Sequence, residues 1–392
     1  GGVGGSWNIY KEKFFQADFV DMLKLRASYG IGGNIGRNTA PYLIASYYDS
    51  SLVDGMAGSV NTPPNKDIRW EKTTTVNVGV DFALFRHRLS GTIEYYNKYS
   101  VDLLAAINGS PTQGFGYTTL MTNNGKMVNR GVEITLSGEI IRQKDFSWNA
   151  SLLYAFNRNK VKHISVQPSL WDSRISMPTS YPMVGKPLYG IYAYKWAGLN
   201  ENGDPQVYDA ENNVTSGPAR DYHALVYCGT TVPIHNASLT NVLRYKGFEF
   251  SAMLILDAGH KLRSSNIPSI NMSNGRITST AKGIVDRWTQ PGDVTDVPRL
   301  LFSNDTENFN THRTELYRYS DLFVYDASNI RLSNISLAYR VPAHWCKKIS
   351  LSGARLQFNV ENVATFAFDS KANYDLGGKV KPNYVWGLYL NF

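Results

Sequence analysis

Apolar and polar residues alternate with a period of two through one segment of this chain after another, and nothing else in the sequence limits the fold as strongly. Successive side chains of a strand point to opposite faces, so each such segment reads as a strand with one apolar and one polar face. Leu23, Leu25, Ala27 and Tyr29 alternate with Lys24, Arg26 and Ser28, and Val76, Val78, Val80 and Phe82 with Thr75, Asn77, Gly79 and Asp81. Val132, Ile134 and Leu136 oppose Glu133, Thr135 and Ser137, while Trp148, Ala150, Leu152, Tyr154 and Phe156 share a face of the next segment. Phe248, Phe250, Ala252, Leu254 and Leu256 alternate with Glu249, Ser251 and Asp257, and Leu356, Phe358 and Val360 with Arg355, Gln357, Asn359 and Glu361. Each segment has the roughly nine to eleven residues that cross a bilayer at a tilt.

The connections between segments fall into two kinds that alternate strictly. Short ones are expected near Tyr10–Met22, Ala83–Arg88, Ile141–Phe146, Tyr245–Phe248 and Val341–Ser350, and long ones near Ile31–Arg69, Val101–Lys126, Asn159–His235, His260–Ser328 and Ala364–Asn383. A soluble β-sandwich spaces its turn signals about every 8 to 12 residues. Short turns on one side and long loops on the other are the pattern of an outer-membrane barrel. The fold class read from this is all-β, a transmembrane antiparallel β-barrel with about eleven strands in this chain.

Composition agrees once the alternation is known. The 25 Tyr, 17 Phe, 8 Trp and 33 Gly favour pleated strands and tight turns over helices. A mean hydropathy of −0.29 hides a membrane barrel, because lumen-facing polar residues cancel lipid-facing apolar ones. No apolar run reaches the roughly 18 residues of a helical span. The net charge of +8 comes from scattered Lys and Arg without a basic run, which speaks against nucleic acid. Cys228 and Cys346 lack a zinc or CxxC spacing and fall on opposite sides of the membrane in this topology, so they cannot pair. The histidines, His87, His163, His223, His235, His260, His312 and His344, show no HExxH and no nucleophile context; no catalytic residue, cofactor or metal ligand is expected. Gly30, Gly32 and Gly36 mimic a phosphate loop only superficially, since no helix follows.

Strand parity carries an expectation about the chain's limits. With the long loops outside, the last strand, Asn383–Phe392, descends and leaves the C-terminus in the periplasm, and the first, near Val3–Ile9, must descend too. Bacterial barrels begin with an ascending strand and have an even count, so further strands are expected upstream of Gly1, which also has no initiator Met or leader before it. An open sheet in lipid would leave about five donors and five acceptors unpaired per edge, at several kcal/mol each.

The last segment places Tyr384, Trp386, Leu388, Leu390 and the terminal Phe392 on one face. It resembles the signal read by the barrel-assembly machinery of Gram-negative outer membranes. Seven further stretches, in order, resemble the SusC/RagA family of TonB-dependent transporters. Leu23 to Gly30 with Gly33-Asn34 looks like "LKLRASYGxxGN", Asn65 to Thr75 is similar to "NPDLKWE", and Val128 to Glu133 matches "VxNRGVE". Tyr245 to Phe248 reads "YKGF", Asp286 to Thr289 "DRWT", Tyr325 to Leu332 resembles "DASYLRL", and Asn359 to Asn362 stands where the family has "GxNL". Most of these residues read as barrel-building positions. Lys246-Gly247 suits a tight reversal with a residue free to take positive φ, and Trp70, Tyr95 and Tyr96 suit an interfacial aromatic girdle.

The resemblance implies that residues 1–392 form the C-terminal half of a roughly 22-stranded barrel whose plug and N-terminal strands lie outside this chain. It also implies an outer-membrane importer of a glycan or oligosaccharide that works under a SusD-like lipoprotein and is driven by the TonB-ExbB-ExbD complex. A peptide importer of RagA type, or a passive porin or surface-binding barrel, remains the alternative. Candidate substrate contacts are the loop residues Trp171, Tyr192, Trp196 and Tyr208, whose rings suit stacking on sugars or peptide side chains, though exposed loop aromatics also pack loops together. After Gly185 to Tyr192, "GKPLYGIY", the acidic stretches Glu201 to Pro205 and Asp209 to Asn213 lack an intact calcium-loop spacing.

Overall fold

A computed structural model describes residues 1–36, 41–49, 55–62, 64–108, 119–166, 171–272, 280–302, 311–376 and 381–392. Eleven strands form one antiparallel sheet in chain order: β1 (Gly2–Asn8), β2 (Val20–Asn34), β3 (Glu71–Leu84), β4 (Leu89–Asn108), β5 (Thr119–Arg142), β6 (Phe146–His163), β7 (His235–Tyr245), β8 (Phe248–Ala258), β9 (Asn329–Arg340), β10 (Gly353–Ala367) and β11 (Asn383–Asn391). Each pairs with its sequence neighbours, across short turns and long connections alike. β1 and β11 are the edges of the sheet.

The register fixes the faces. Phe250 lies opposite Leu243 and Leu337, Leu337 opposite Phe358, and Phe358 opposite Trp386, giving one apolar row across five strands. One residue away, Glu249 lies opposite Arg244 and Ala338, and Ala338 opposite Gln357. Phe250, Leu254, Leu337, Leu356 and Leu388 are exposed, so among the described residues no second protein layer covers the apolar face. The hydrophobic clusters of buried residues, around Tyr192, Tyr194 and Leu316 and around Ile270, Tyr317 and Phe323, sit instead in the long connections. A soluble sandwich would bury that face against another sheet; hydrocarbon is the solvent it suits.

Local departures from the pattern have physical causes. Outward residues switch from Ile330 and Leu332 to Ile335, Leu337 and Tyr339 because Ser333 bulges out between Leu332 and Asn334, resetting the phase. Asn241 is a polar group on the apolar face, and the Trp148 indole N–H donates to its Oδ1 at 3.1 Å. In the Tyr245–Phe248 hairpin it is Lys246 that takes positive φ (51°). Gly247 is needed for another reason: a Cβ there would lie 2.8 Å from the Arg340 carbonyl oxygen.

Two sequence expectations are corrected. The connection expected over Val101–Lys126 is largely strand, since β4 continues to Asn108 and β5 begins at Thr119, forming a hairpin that projects beyond the other strands. The run Leu103-Leu104-Ala105-Ala106-Ile107 has no alternation to announce this, and a register shift between Ser100 and Leu103, with Asp102 at positive φ, separates it from the wall proper. Tyr96 does not join the lipid-facing girdle. Being next to the outward Tyr95 in the same strand, it faces inward, where its ring covers Gly131.

Near the middle of β8, Leu254 faces outward and Met253 inward. Leu254→Arg is expected to destabilise the folded barrel by about 2–4 kcal/mol and Met253→Arg by about 1 kcal/mol or less, read from denaturant unfolding in lipid.

Candidate functional site: inner wall and outer loops

The inner face is largely polar because most of the residues that alternate with the outward apolar ones are polar, and the register gathers these residues into clusters. Arg26 pairs with Asp81 (Nε to Oδ2, 3.2 Å) and with Glu94, and Thr92 donates to Asp81 at 3.0 Å. The Arg26 guanidinium lies against Gly79, where a Cβ would come within 3.1 Å of it. Glu249 is held between Arg244 (2.7 Å) and Arg355 (3.1 Å). Asp257 accepts from Asn236 (2.7 Å) and Arg331 (3.3 Å), and Gln357 donates to Asn359 (2.9 Å) and Ser336 (3.3 Å). These clusters went unseen in the sequence, where each member is one polar residue of an alternating strand; only the register reveals its partners.

Several recurrent stretches stitch strands to loops. In Asn65 to Glu71, Asn65 donates to the Met121 carbonyl (2.8 Å), Arg69 pairs with Asp102 (2.7 Å), and Glu71 accepts from the Leu104 amide (2.9 Å), fastening the projecting hairpin to the wall. Trp70 lies over Gly33, where a Cβ would meet its ring at 2.7 Å. Trp288 of the Asp286 to Thr289 stretch covers Gly203, which has a φ of +74°.

The described residues of the connections 164–234 and 259–328 form a lobe of their own. Its strands Gly190–Tyr194 and Leu225–Thr230 pair with each other, as do Lys261–Arg263 and Val324–Asp326, while Trp196–Leu199, Pro205–Tyr208 and Val214–Thr215 make a small sheet. Arg263 ties the two connections by donating to the carbonyls of Tyr192 (2.7 Å), Arg318 (3.1 Å) and Ser320 (3.2 Å). Arg313, 3% exposed, does the same through Asp204 (2.6 Å), Asn271 (2.6 Å) and the Arg299 carbonyl (2.6 Å), with Arg299 also on Asp204 (2.8 Å). Burial lowers the pKa of Arg313, and Asp204 opposes that shift.

The structure brings three of the four candidate aromatics together. Tyr192, 1% exposed, belongs to the lobe's core, and Trp171 and Trp196 pack against the same cluster. Trp171 stacks on Tyr194 at 6.0 Å, and the Trp196 indole N–H donates to Asp296 at 3.0 Å. Tyr208 stands apart, on the adjoining strand, with the Lys195 ammonium 4.6 Å from its ring centre. In the acidic stretches, Asp204 is engaged by the two arginines and Asp209 accepts from the amides of Glu211 and Asn213, closing a turn. Cys228 lies in the lobe and Cys346 in the helix Ala343–Lys347 of a short turn; both are free, and burial pushes the Cys228 thiol up to about 11.

A single-layer antiparallel sheet with an unclad apolar face, a polar inner face and a lobe on one rim defines the wall of an outer-membrane β-barrel. Residues 3–363 match the family described as TonB dependent receptor-like, beta-barrel, and the chain belongs to that family. It is 26% identical to TonB-dependent receptor P3 of Formosa agariphila over 98% of this chain and 39% of that protein. It is likewise 26% identical to TonB-dependent receptor SusC of Bacteroides thetaiotaomicron over 91% and 35%. A solved structure described as the RagAB peptide transporter shares the fold with a TM-score of 0.77 at 24% identity, covering all of this chain and 43% of that one. The chain thus spans about two fifths of the length of these relatives.

Two outcomes follow for the lobe. Arg313→Met leaves Asp204 with one cation fewer in a largely buried setting and is expected to cost about 3–5 kcal/mol locally. Hydrogen exchange should then rise across residues 190–230 while β7 and β8 stay protected. At the stem, Asp326 binds Lys261 (3.0 Å); burial would raise its pKa, but bonds from Ser328 and Lys261 prevail and hold it at about 2. The clasp therefore holds above the ordinary carboxylate range and weakens only as pH falls through about 2, so pepsin at about pH 4 should spare it. In Lys261→Met, cleavage there should begin at a higher pH.

Proposed function

We propose that this chain supplies the C-terminal half of the wall, and the outer loops, of a TonB-dependent outer-membrane importer. Polypeptide outside residues 1–392 provides the plug and the strands that close the barrel. The observation that carries the reading is the inner face itself. Its arginine, carboxylate and amide clusters, held by cross-strand partners, form a wet wall past which a polar solute can move while outward residues face lipid. Family membership supports the coupling to TonB-ExbB-ExbD, and the likeness to SusC supports a glycan or oligosaccharide as cargo and a SusD-like lipoprotein as lid. The fold shared with a peptide transporter supports a second reading, in which the cargo is a peptide. In both, the lobe built around Trp171, Tyr192, Trp196 and Tyr208 shapes the outer end of the cavity. The terminal strand, ending at Phe392, engages the barrel-assembly machinery.

Uptake of labelled oligosaccharides and peptides by cells carrying the complete protein tests this. Oligosaccharide uptake that collapses when a protonophore is added is the expected result. Uptake that continues without the proton gradient would establish a passive porin, and uptake of peptides alone would overturn the glycan assignment. Phe392→Ser should lower the amount of folded protein reaching the outer membrane several-fold, measured by heat-modifiable gel mobility.

A further inference from the structure

The outward face carries an imbalance of charge that neither the wall nor the import reading uses. Along the ladder, the regularly paired outward positions from β2 to β11 hold Lys72, Arg130, Arg158 and Lys160 and, among the described residues, no carboxylate; Asp102, in the register shift of β4, is taken by Arg69, and inward positions hold both signs. All four cations lie toward the rim that bears the long connections, which is the extracellular side.

Their order along the wall is informative. Tyr95, Val132 and Phe156 form one outward row; Asn97, Arg130 and Arg158 form the next, and Tyr99, Val128 and Lys160 the one above. Hydrocarbon-facing residues therefore give way to aromatic ones and then to cations, the order in which a bilayer passes from acyl chain to interface to headgroup. Arg130 and Arg158 face each other directly across the β5–β6 pair, an arrangement that repels unless an anion lies between or over them. Arg130 Nε is held by Asn97 Oδ1 at 2.9 Å, which leaves the terminal amino groups of its guanidinium free of that bond. Among the described residues, none of the ion pairs involves Arg130, Arg158, Lys160 or Lys186.

Beside this patch the wall opens. The Asn157 amide still donates to the Ile234 carbonyl, and the Val161 amide to that of Lys186, both at 2.9 Å; between them the edge of β6 diverges from its neighbours. The gap is a cleft of ≈ 410 Å³ lined in part by Phe156, Arg158, Lys160, Lys186, Tyr227 and His235. The Lys186 ammonium sits 4.9 Å from the centre of the Tyr227 ring, which fixes a third cation at the cleft. Three cations and a histidine around one opening, at headgroup height and without carboxylates, suit a ligand bearing clustered anionic oxygens.

We propose that Arg130, Arg158, Lys160 and Lys186 bind the phosphate groups of a phosphorylated glycolipid in the outer leaflet. The bound lipid neutralises the opposed arginines and seals the cleft where the strands part. Such a site would be a fixed contact of the barrel with its membrane, separate from the cargo path on the other face of the same strands.

The complete protein, extracted from outer membranes and exchanged into lipid-free detergent, provides the test, with retained phosphorylated glycolipid counted by native mass spectrometry. The unmodified protein should keep at least one such lipid. The triple variant Arg130→Gln, Arg158→Gln, Lys160→Gln should bind it on the order of a hundredfold more weakly, about fivefold for each cation. Lys98→Gln, on the inward face, should match the unmodified protein. Heat-modifiable mobility reports whether the triple variant folds; should it not, the roughly fivefold loss in Arg158→Gln alone decides. Equal retention by variant and unmodified protein would overturn the proposal. So would equal retention of the same glycolipid after phosphatase treatment, or binding of inorganic phosphate with no lipid retained.

Discussion

Backbone amides and carbonyls in hydrocarbon have no water to bond, so every one at membrane depth must find a partner in the protein. That requirement shapes this chain from end to end. Among the described residues, nine of the eleven wall strands are paired on both sides, and β1 and β11 carry the free edges. The side-chain pattern is a consequence of the same constraint. Once the backbone is committed to a single-layer sheet, successive residues must point alternately at lipid and at water, and the sequence complies with Leu254 on one face and Met253 and Glu249 on the other.

Above the membrane the physics changes. The lobe formed by the two longest connections is stabilised as a water-soluble domain is, with Tyr192, Tyr194, Val207 and Leu316 removed from solvent and Arg263 and Arg313 donating to the backbone carbonyls of Tyr192 and Arg299. Among the described residues, the wall has no such buried cluster. Ion pairs stand where the chain leaves the wall: Arg69 to Asp102 fastens the projecting hairpin, and Lys261 to Asp326 closes the stem of the lobe.

How much of this the sequence discloses follows from the range of each interaction. Strand number, strand order and the two faces depend on residues two apart, so they could be read directly; even the Ser333 bulge is visible as a change of phase between Leu332 and Ile335. The long hairpin was hidden because Leu103 to Ile107 is apolar at every position and so hides its period. Tyr96 was misplaced because its neighbour Tyr95 was read onto the same face. The inner clusters and the lobe depend on residues far apart in the chain, as with Asp204 and Arg313 or Tyr192 and Arg263, and no local pattern announces such partners. That Tyr192 lies inside the lobe's buried cluster while Tyr208 lies in the lobe but outside that cluster is a matter of tertiary packing, which no local pattern of aromatics reveals.

The most direct test is a nitroxide scan along β8, residues 248 to 258, in the complete protein reconstituted in lipid with Cys228 and Cys346 replaced by alanine. Collision with oxygen, which concentrates in hydrocarbon, should peak at positions 248, 250, 252, 254 and 256, and collision with a water-soluble nickel chelate at the positions between. Two profiles that rise and fall together, or labels at 250 and 254 shielded from both reagents, would mean that the apolar face is packed against protein, and the barrel account would be wrong.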